Sequence, residues 1–199
     1  TPSWRTDLYA NGGTLVSHKE SIELFRTHGV GMTPELKEPL VEMPFSTGKL
    51  TPHPSALGYD QAAFARQLVD VYRDAKVSPH KVALQSFNQD DIRTWLEIAP
   101  EYGARAVWLS DHDPGLPPPS QAEFEAFFAE GFRTIAPPIS ALLLLGPDGD
   151  FRSTEFAQNA RAAGLEIIAW TAERSGRIRN GRVEAQPGDF YLGPVQSAL

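Results

Sequence analysis

The sequence contains no cysteine, which removes one class of chemistry at the outset. Without a thiol the chain forms no disulfide, has no thiolate nucleophile and cannot ligate zinc through sulfur. Long hydrophobic runs are also missing. The longest apolar stretch, from Ile139 to Leu145, is interrupted at Ser140 and is far shorter than the roughly 20 residues that span a bilayer. The sequence therefore predicts no membrane-spanning segment.

Positive charge is in short supply as well. The chain has 18 Lys and Arg residues against 25 Asp and Glu, a formal net charge of -7, and no basic stripe that would neutralise nucleic-acid phosphates. Its densest basic segment, residues 174–182, alternates with turn residues, which predicts a solvated loop rather than a phosphate-binding patch. We therefore expect no nucleic-acid partner. With 41% hydrophobic and 22% charged residues, positions 1–199 are predicted to form a single globular domain.

Helix and strand patterns alternate along the chain. Two capping boxes, Ser17 with Glu20 and Ser120 with Glu123, predict helix starts, and Gly29 predicts the end of the first helix. Short apolar runs follow the helical stretches and predict five strands, at residues 30–37, 82–87, 104–109, 132–136 and 166–171. This alternation is typical of a parallel sheet with crossover helices, either closed into a barrel or doubly wound.

Glu35 and Lys37 place a carboxylate and an amine two residues apart in a predicted buried strand. Side-chain direction repeats every second residue along a strand, so both side chains leave the same face. Opposite charges that point into a sheet are costly unless they pair, bind a metal or hold an anionic ligand. The alternatives are thus a functional site and a salt bridge on an exposed strand edge. Four prolines in residues 38–58 predict an irregular loop on the same side as the pair.

Three segments extend the pattern: Glu35-Leu36-Lys37, then Gln85-Ser86-Phe87, then Trp170-Thr171. In this order they resemble the glycerophosphodiester phosphodiesterase family, whose barrel strands carry a Glu-x-Lys, a Gln-Ser-Phe and a Trp-Thr. The resemblance covers most of the chain and extends to residues 20–25, 86–91 and 136–138. It implies an incomplete TIM (β/α)8 barrel of about five βα units. It favours the barrel over a doubly wound sheet, which usually has a Gly-rich turn after its first strand.

The resemblance also implies roles for particular residues. Glu35 would ligate a divalent cation, calcium or magnesium, because these hard cations take oxygen donors. Lys37 would face the substrate phosphate as a point charge. Gln85, at the carboxyl end of its strand, would donate to a phosphate oxygen or orient a metal-bound water, the alternative being a helix-cap or strand-end hydrogen bond. Phe87 and Trp170 would form apolar walls near the glycerol or alcohol moiety, although aromatic residues at strand ends are more often core.

Several family motifs have no counterpart in this sequence. The family opens with a His-Arg-Gly, followed by a Glu-x-Asp and a His-Asp, and it closes with an Asp-x-Pro. No His-Arg-Gly or Glu-x-Asp occurs here, so no residue of this chain is assigned as the catalytic acid or base. We therefore expect an internal or carboxyl-terminal part of a barrel that is completed by a missing amino-terminal segment or by a second chain.

Two functions follow from this reading. The first is that of part of a metal-dependent enzyme that hydrolyses glycerophosphodiesters to glycerol phosphate and an alcohol. The alternative is a non-catalytic binding or scaffold domain that is derived from the barrel. Family resemblance alone suggests a secreted or periplasmic location.

The sequence Asp111-His112-Asp113 holds three potential metal ligands after a predicted strand. Adjacent residues cannot all point at one ion, and Pro114-Gly115 marks a turn. We therefore predict a capped surface loop there rather than a metal cluster.

Overall fold

A computed structural model describes residues 13–38, 58–145, 150–170, 177–179 and 182–184 of the chain. Backbone contacts divide it into two compact units. The Glu35 unit contains the described residues of Val16–Leu109 and Ala129–Thr134, and the Trp170 unit contains those of Thr1–Leu15, Ser110–Phe128 and Ile135–Leu199. The single domain predicted for residues 1–199 stays a prediction. Of the Pro-rich loop predicted at residues 38–58, only Glu38 and Gly58 lie within the described residues.

Helices α1 (His18–His28), α2 (Gln61–Asp74), α3 (Gln89–Ile98) and α4 (Pro100–Gly103) belong to the Glu35 unit. The predicted capping box of α1 is confirmed: the Ser17 amide donates to Glu20 Oε2 at 2.7 Å, and the Glu20 amide donates to Ser17 Oγ. Gly29 ends α1 with a φ of 68°, a left-handed conformation that glycine adopts without steric cost. The side chains of Asp60 and Asn88 cap the amino-terminal ends of α2 and α3 by accepting from the amides of Ala63 and Asp90.

Parallel pairing organises the backbone of the Glu35 unit. Met32 and Glu35 form isolated parallel bridges with Val82 and Gln85, and strand β1 (Gln85–Ser86) pairs in parallel with strand β2 (Val107–Leu109). A 3-10 turn, Pro79–Lys81, precedes the Val82 bridge. The predicted strand at 30–37 is thus present only as two bridges, because Pro34 has no N–H to donate at the position between them.

The core of the Glu35 unit lies between these segments and the inner faces of α2, α3 and α4. Trp95 is fully buried, and its indole Nε1 donates to the Ala65 carbonyl at 2.9 Å, while the Tyr102 hydroxyl donates to the Val77 carbonyl at 2.8 Å. Both large aromatic residues are therefore buried with their polar atoms satisfied. The other large buried side chains of the unit include Ile22, Val69, Tyr72, Val82, Leu84, Ile92 and Phe132.

Gly103 of α4 packs against the backbone of α3, which provides a stability test. A Cβ at this position would lie 2.5 Å from the Leu96 nitrogen and 2.6 Å from the Leu96 Cα, which are backbone atoms that cannot move aside. We expect Gly103→Ala to lower the free energy of unfolding by about 3 kcal/mol or more, measured by urea denaturation. Gly31→Ala is the matched control, because its Cβ would meet only the Lys81 carbonyl oxygen at 3.6 Å. Equal stability of the two variants would contradict the packing of α4 on α3.

The Trp170 unit has the same alternation. Helix α5 (Gln121–Glu130) and strand β3 (Thr134–Ala136) lie mainly in this unit, and helix α7 (Glu155–Ala162) leads to strand β6 (Glu166–Ile167) within it. The Ser110 amide, directly after β2, donates to the Ala136 carbonyl, and the Ile168 amide donates to the Ile135 carbonyl. The core of this unit contains Phe124, Ile135, Ala141, Phe156, Ala160 and Leu165.

Two features of the Trp170 unit differ from the sequence predictions. Helix α6 (Ile139–Leu142) runs into strand β4 (Leu143–Leu145), which pairs antiparallel with β5 (Phe151–Ser153), although neither strand was predicted. The solvated loop predicted at residues 174–182 is wrong for its described part. Strands β7 (Arg177–Arg179) and β8 (Arg182–Glu184) pair antiparallel there. Charged and apolar residues alternate in both strands, and this alternation fits a two-stranded ribbon. The charge content alone does not predict the ribbon.

The described structure is therefore a mixed α/β fold with parallel pairing, as predicted. The count of five βα units and their closure toward a barrel stay predictions. None of the helices in the described ranges is both long and apolar enough to cross a membrane.

Candidate functional site

Glu35 and Lys37 form an ion pair in which Lys37 Nζ donates to Glu35 Oε1 at 2.5 Å. The two side chains therefore leave the same side of the backbone, as their spacing predicts. Their exposure differs, since the Lys37 side chain is 75% exposed and that of Glu35 is 23% exposed. The carboxylate is sheltered and the amine is free to turn toward solvent. This geometry suits a site in which Lys37 can turn from Glu35 to an anionic ligand. It also suits the salt bridge that was the alternative prediction.

Glu35 lies beside Gln85 on the neighbouring strand. The two residues are parallel bridge partners, the Leu36 amide donates to the Gln85 carbonyl at 2.9 Å, and the Gln85 amide donates to the Pro34 carbonyl at 2.9 Å. Residues that face each other across a parallel pair project to the same face. The structure therefore brings the first two predicted site segments together. Gln85 Nε2 is turned toward the Thr33 carbonyl at 3.4 Å, a long contact that leaves this donor weakly engaged.

The two aromatic candidates lie in different units. Phe87 follows β1 in the Glu35 unit and is partly exposed. Trp170 belongs to the Trp170 unit, where its indole Nε1 donates to the Ala136 carbonyl at 2.6 Å and its backbone pairs in parallel with Pro138. Trp170 is thus anchored at the carboxyl end of β3. The wall-forming role predicted for both residues stays a prediction.

A buried polar network next to Gln85 was not predicted. Ser86 and Asp91 are 2% and 1% exposed, and Ser86 Oγ donates to Asp91 Oδ2 at 2.7 Å. Gln61 Nε2 donates to Asp91 Oδ1 at 2.8 Å, and the Asn88 amide donates to Ser86 Oγ at 3.0 Å. Asp91 stands three residues after the Asn88 cap, where an acidic residue normally stabilises the first turn of a helix from its exposed side. The local sequence therefore gives no sign that Asp91 is buried.

Burial raises the pKa of the Asp91 carboxyl above its ordinary value of 3.8. Hydrogen bonds from Gln61 and Ser86 act against this shift of the pKa, and the carboxylates of Asp90 and Glu38 reinforce it. Asp91 is the only carboxylate among the buried residues of the described part of the chain.

Glu35 is the candidate metal ligand at this position. No group of three His, Cys, Asp or Glu side chains able to hold an ion occurs within the described ranges. A hard divalent cation needs six or more oxygen donors, several of which can be waters. Glu35 fits as a single ligand with one oxygen outside the Lys37 contact, and the described residues alone do not make a metal site.

The segment Asp111-His112-Asp113 has irregular backbone and leads into a turn at Pro114 and Gly115. The Gly115 amide donates to Asp113 Oδ1 at 2.8 Å, and the His112 ring packs against the Phe156 ring with centroids 5.0 Å apart. The histidine is therefore used in packing. This agrees with the capped loop predicted from the sequence.

A cavity of about 630 Å³ adjoins Glu35 within the Glu35 unit. It lies between α1, α2 and the segment 31–36, and its lining is mainly apolar. The backbone amides of Thr33 and Glu35 have no backbone partner among the described residues, because Met32, Pro34 and Leu36 make the bonds toward residues 81–85. This edge of the parallel pairing is therefore open as far as the described residues go. Four apolar residues of and around α1 are exposed, and one of them, Phe25, also lines the cavity: Val16, Leu24, Phe25 and Val30.

Comparison with solved structures supports the fold that the motifs suggested. A crystal structure from Silicibacter pomeroyi DSS-3, provisionally assigned as a glycerophosphoryl diester phosphodiesterase, aligns with 77% of this chain at a TM-score of 0.51 and 17% identity. The chain spans 45% of that protein's length. A glycerophosphodiester phosphodiesterase from Parabacteroides distasonis ATCC 8503 aligns over 57% of the chain and 40% of its own, at a TM-score of 0.39 and 17% identity. The predicted resemblance to this enzyme family is confirmed as a likeness of fold to the first structure.

Sequence comparison identifies a nearer relative. No family model matches the chain. A protein of Arthroderma benhamiae named "Extracellular protein" is 38% identical over 203 residues, which cover 100% of this chain and 77% of that protein. At this identity and coverage the chain belongs to the family of that fungal protein.

Proposed function

We propose that the complete protein is a metal-dependent glycerophosphodiester phosphodiesterase that hydrolyses glycerophosphodiesters to glycerol phosphate and an alcohol. The observation that carries the proposal is the position of Glu35. In a fold like that of such enzymes, it lies opposite Gln85 across a parallel pair and is bonded to Lys37. Glu35 and Lys37 belong to the first, and Gln85 to the second, of the three segments on which the resemblance rests.

In this proposal Glu35 is a ligand of a calcium or magnesium ion, which when bound would polarise the substrate phosphate. Lys37 neutralises Glu35 in the described structure, and its exposure leaves it free to turn to a phosphate oxygen. Gln85, whose amide donor is only weakly engaged, would complete the recognition of the phosphate. Phe87 and Trp170 would bound the alcohol moiety. No residue of this chain is proposed as the acid or base.

The open edge beside Glu35 supports a further part of the proposal. An edge that the described residues leave unpaired, with the exposed side chain of Phe25 lining the adjoining cavity, is a surface that proteins normally cover. We propose that a barrel segment with the missing His-Arg-Gly and Glu-x-Asp motifs, in the same protein or in a second chain, covers the edge at Thr33 and Glu35. That segment would supply the remaining ligands and the general acid and base.

A non-catalytic binding or scaffold domain is the second candidate. The lack of clustered metal-binding side chains in the described ranges favours it, as does the occupation of Glu35 by Lys37. For either function we propose an extracellular location, since the Arthroderma benhamiae relative is named an extracellular protein.

Turnover of glycerophosphocholine by the complete protein distinguishes the two functions. If the protein is a metal-dependent phosphodiesterase, it should release glycerol phosphate and choline. The release should stop when a chelator is added and resume when calcium or magnesium is restored. Glycerol phosphate is measured by a coupled dehydrogenase assay, with chelated enzyme as the control. Binding of glycerophosphocholine without hydrolysis at any metal concentration would support the scaffold reading instead.

A further inference from the structure

The buried carboxylate of Asp91 is linked to the candidate site through a single hydroxyl group. Ser86 Oγ lies 2.7 Å from Asp91 Oδ2 and 3.3 Å from the carbonyl oxygen of Leu36. Leu36 is the residue between Glu35 and Lys37, so its peptide group forms part of the backbone that carries both side chains. None of the proposed substrate contacts uses Asp91 or Ser86.

The Ser86 hydroxyl has one hydrogen and two acceptors within reach. When Asp91 is ionised, the shorter, charge-assisted bond to its carboxylate holds that hydrogen, and the Leu36 carbonyl loses this donor. When Asp91 is protonated, its own O–H donates to Ser86 Oγ, and the Ser86 hydrogen is released to the Leu36 carbonyl. Ser86 Oγ also accepts from the Asn88 amide, and its two lone pairs suffice for both donors. One proton on Asp91 therefore reverses the direction of the chain of hydrogen bonds.

We propose that Asp91 and Ser86 are positioning residues for the Glu35–Lys37 segment, with Ser86 holding the Leu36 carbonyl only when Asp91 carries a proton. The proposal rests on the proposed function in one respect, that Glu35 and Lys37 act on substrate. The hydrogen-bond switch itself depends only on the geometry of the three residues. It would make the alignment of Glu35 and Lys37 sensitive to pH through a group that never touches substrate.

The charged groups around Asp91 set the pH range of the switch. Asp90 on α3 and Glu38 after the segment are the carboxylates that act on it, and the α2 side chain that bonds to it, Gln61, is neutral. Because the pKa is raised on folding, the folded protein keeps the proton to a higher pH than the unfolded chain does. The contribution of Asp91 to the free energy of unfolding accordingly falls as the pH rises from its ordinary value through the folded pKa. The Leu36 carbonyl is held on the acid side of this window and released on the alkaline side.

A single peptide group reports the switch. Leu36-Lys37 is the only Leu-Lys step in the sequence, so carbonyl-labelled leucine with nitrogen-labelled lysine gives one carbonyl–amide correlation for this chain. In the complete protein, Leu36→Val identifies that signal by removing it. Hydrogen bonding moves a carbonyl carbon to higher frequency. We expect the Leu36 signal to move to higher frequency as the pH is lowered, with a midpoint above the ordinary 3.8 of an aspartate.

Two variants should hold the Leu36 signal at the two ends of its titration, and a third variant is the control. Asp91→Asn places an amide donor against Ser86 Oγ and should fix the Leu36 signal at its acid-side position, and Ser86→Ala should fix it at the unbonded position. Asp90→Asn removes a neighbouring charge but leaves the switch, so the signal should still titrate, with a lower midpoint. If Ser86→Ala does not fold, the near-isosteric Asp91→Asn still decides the outcome.

A Leu36 signal that stays constant across the folded pH range would overturn the proposal. So would a titration that persists unchanged in Asp91→Asn. Neither outcome depends on hydrolysis, so failure of the proposed function and failure of the switch remain distinguishable. Where hydrolysis is observed, Asp91→Asn should flatten the acid limb of kcat and leave KM unchanged, which a purely structural role for Asp91 would not do.

Discussion

Replacing Glu35 by glutamine in the complete protein should reduce turnover of glycerophosphocholine by more than about 100-fold, on the scale of losing one transition-state electrostatic contact. The amide keeps the shape of the side chain but removes the anionic oxygen that the proposal assigns to the metal. Affinity for calcium or magnesium, measured by calorimetry, should fall in parallel. The loss should appear in kcat more than in KM, because Glu35 is not proposed to contact the substrate directly.

The fold should tolerate this change. The Glu35–Lys37 pair is an ion pair with one largely exposed partner, and such pairs contribute about 0–1 kcal/mol. The melting temperature in chelator should therefore be nearly unchanged. Glu23→Gln is the matched control, because Glu23 forms an exposed pair with Arg26 at 3.0 Å on α1. Equal metal affinity in Glu35→Gln and the unmodified protein would remove Glu35 as a ligand.

The helix boundaries could be read from the sequence because local chemistry determines them. The capping box of Ser17 and Glu20 and the left-handed Gly29 need only neighbouring atoms, and both occur as predicted. The adjacency of Glu35 and Gln85 is not local. It was predictable only because successive strands of a parallel sheet tend to be neighbours.

Other features depended on long-range packing. Nothing in the apolar run Ile139–Leu145 separates a short helix from the strand that follows it, because local propensity is weak over four residues. Asp91 was missed for a related reason. Its local setting predicts an exposed first-turn acid, and its burial is tolerable because Gln61, thirty residues away, and Ser86 both donate to its carboxylate.

Completion of the site by another segment leads to the largest expected effect. Purified on its own, the 199-residue chain should hydrolyse glycerophosphocholine no faster than a metal-only control. The resemblance places the general acid and base on histidines of an amino-terminal segment that includes a His-Arg-Gly, and no such tripeptide occurs in the sequence. Within the described ranges no group of three His, Cys, Asp or Glu side chains is able to hold an ion, and the edge beside Glu35 is open.

Adding a segment that contains the missing motifs, in cis or as a tightly associated chain, should restore metal-dependent activity because it would pair with the backbone at Thr33 and Glu35 and bring its histidines to the phosphate. The same segment with its histidines replaced by alanine should still bind, which hydrogen exchange at the Glu35 amide would report, but should restore no turnover. A chain that hydrolyses the substrate without the segment, and loses that activity in Glu35→Gln, would contradict this account. The acid and base would then have to be found among its own five histidines.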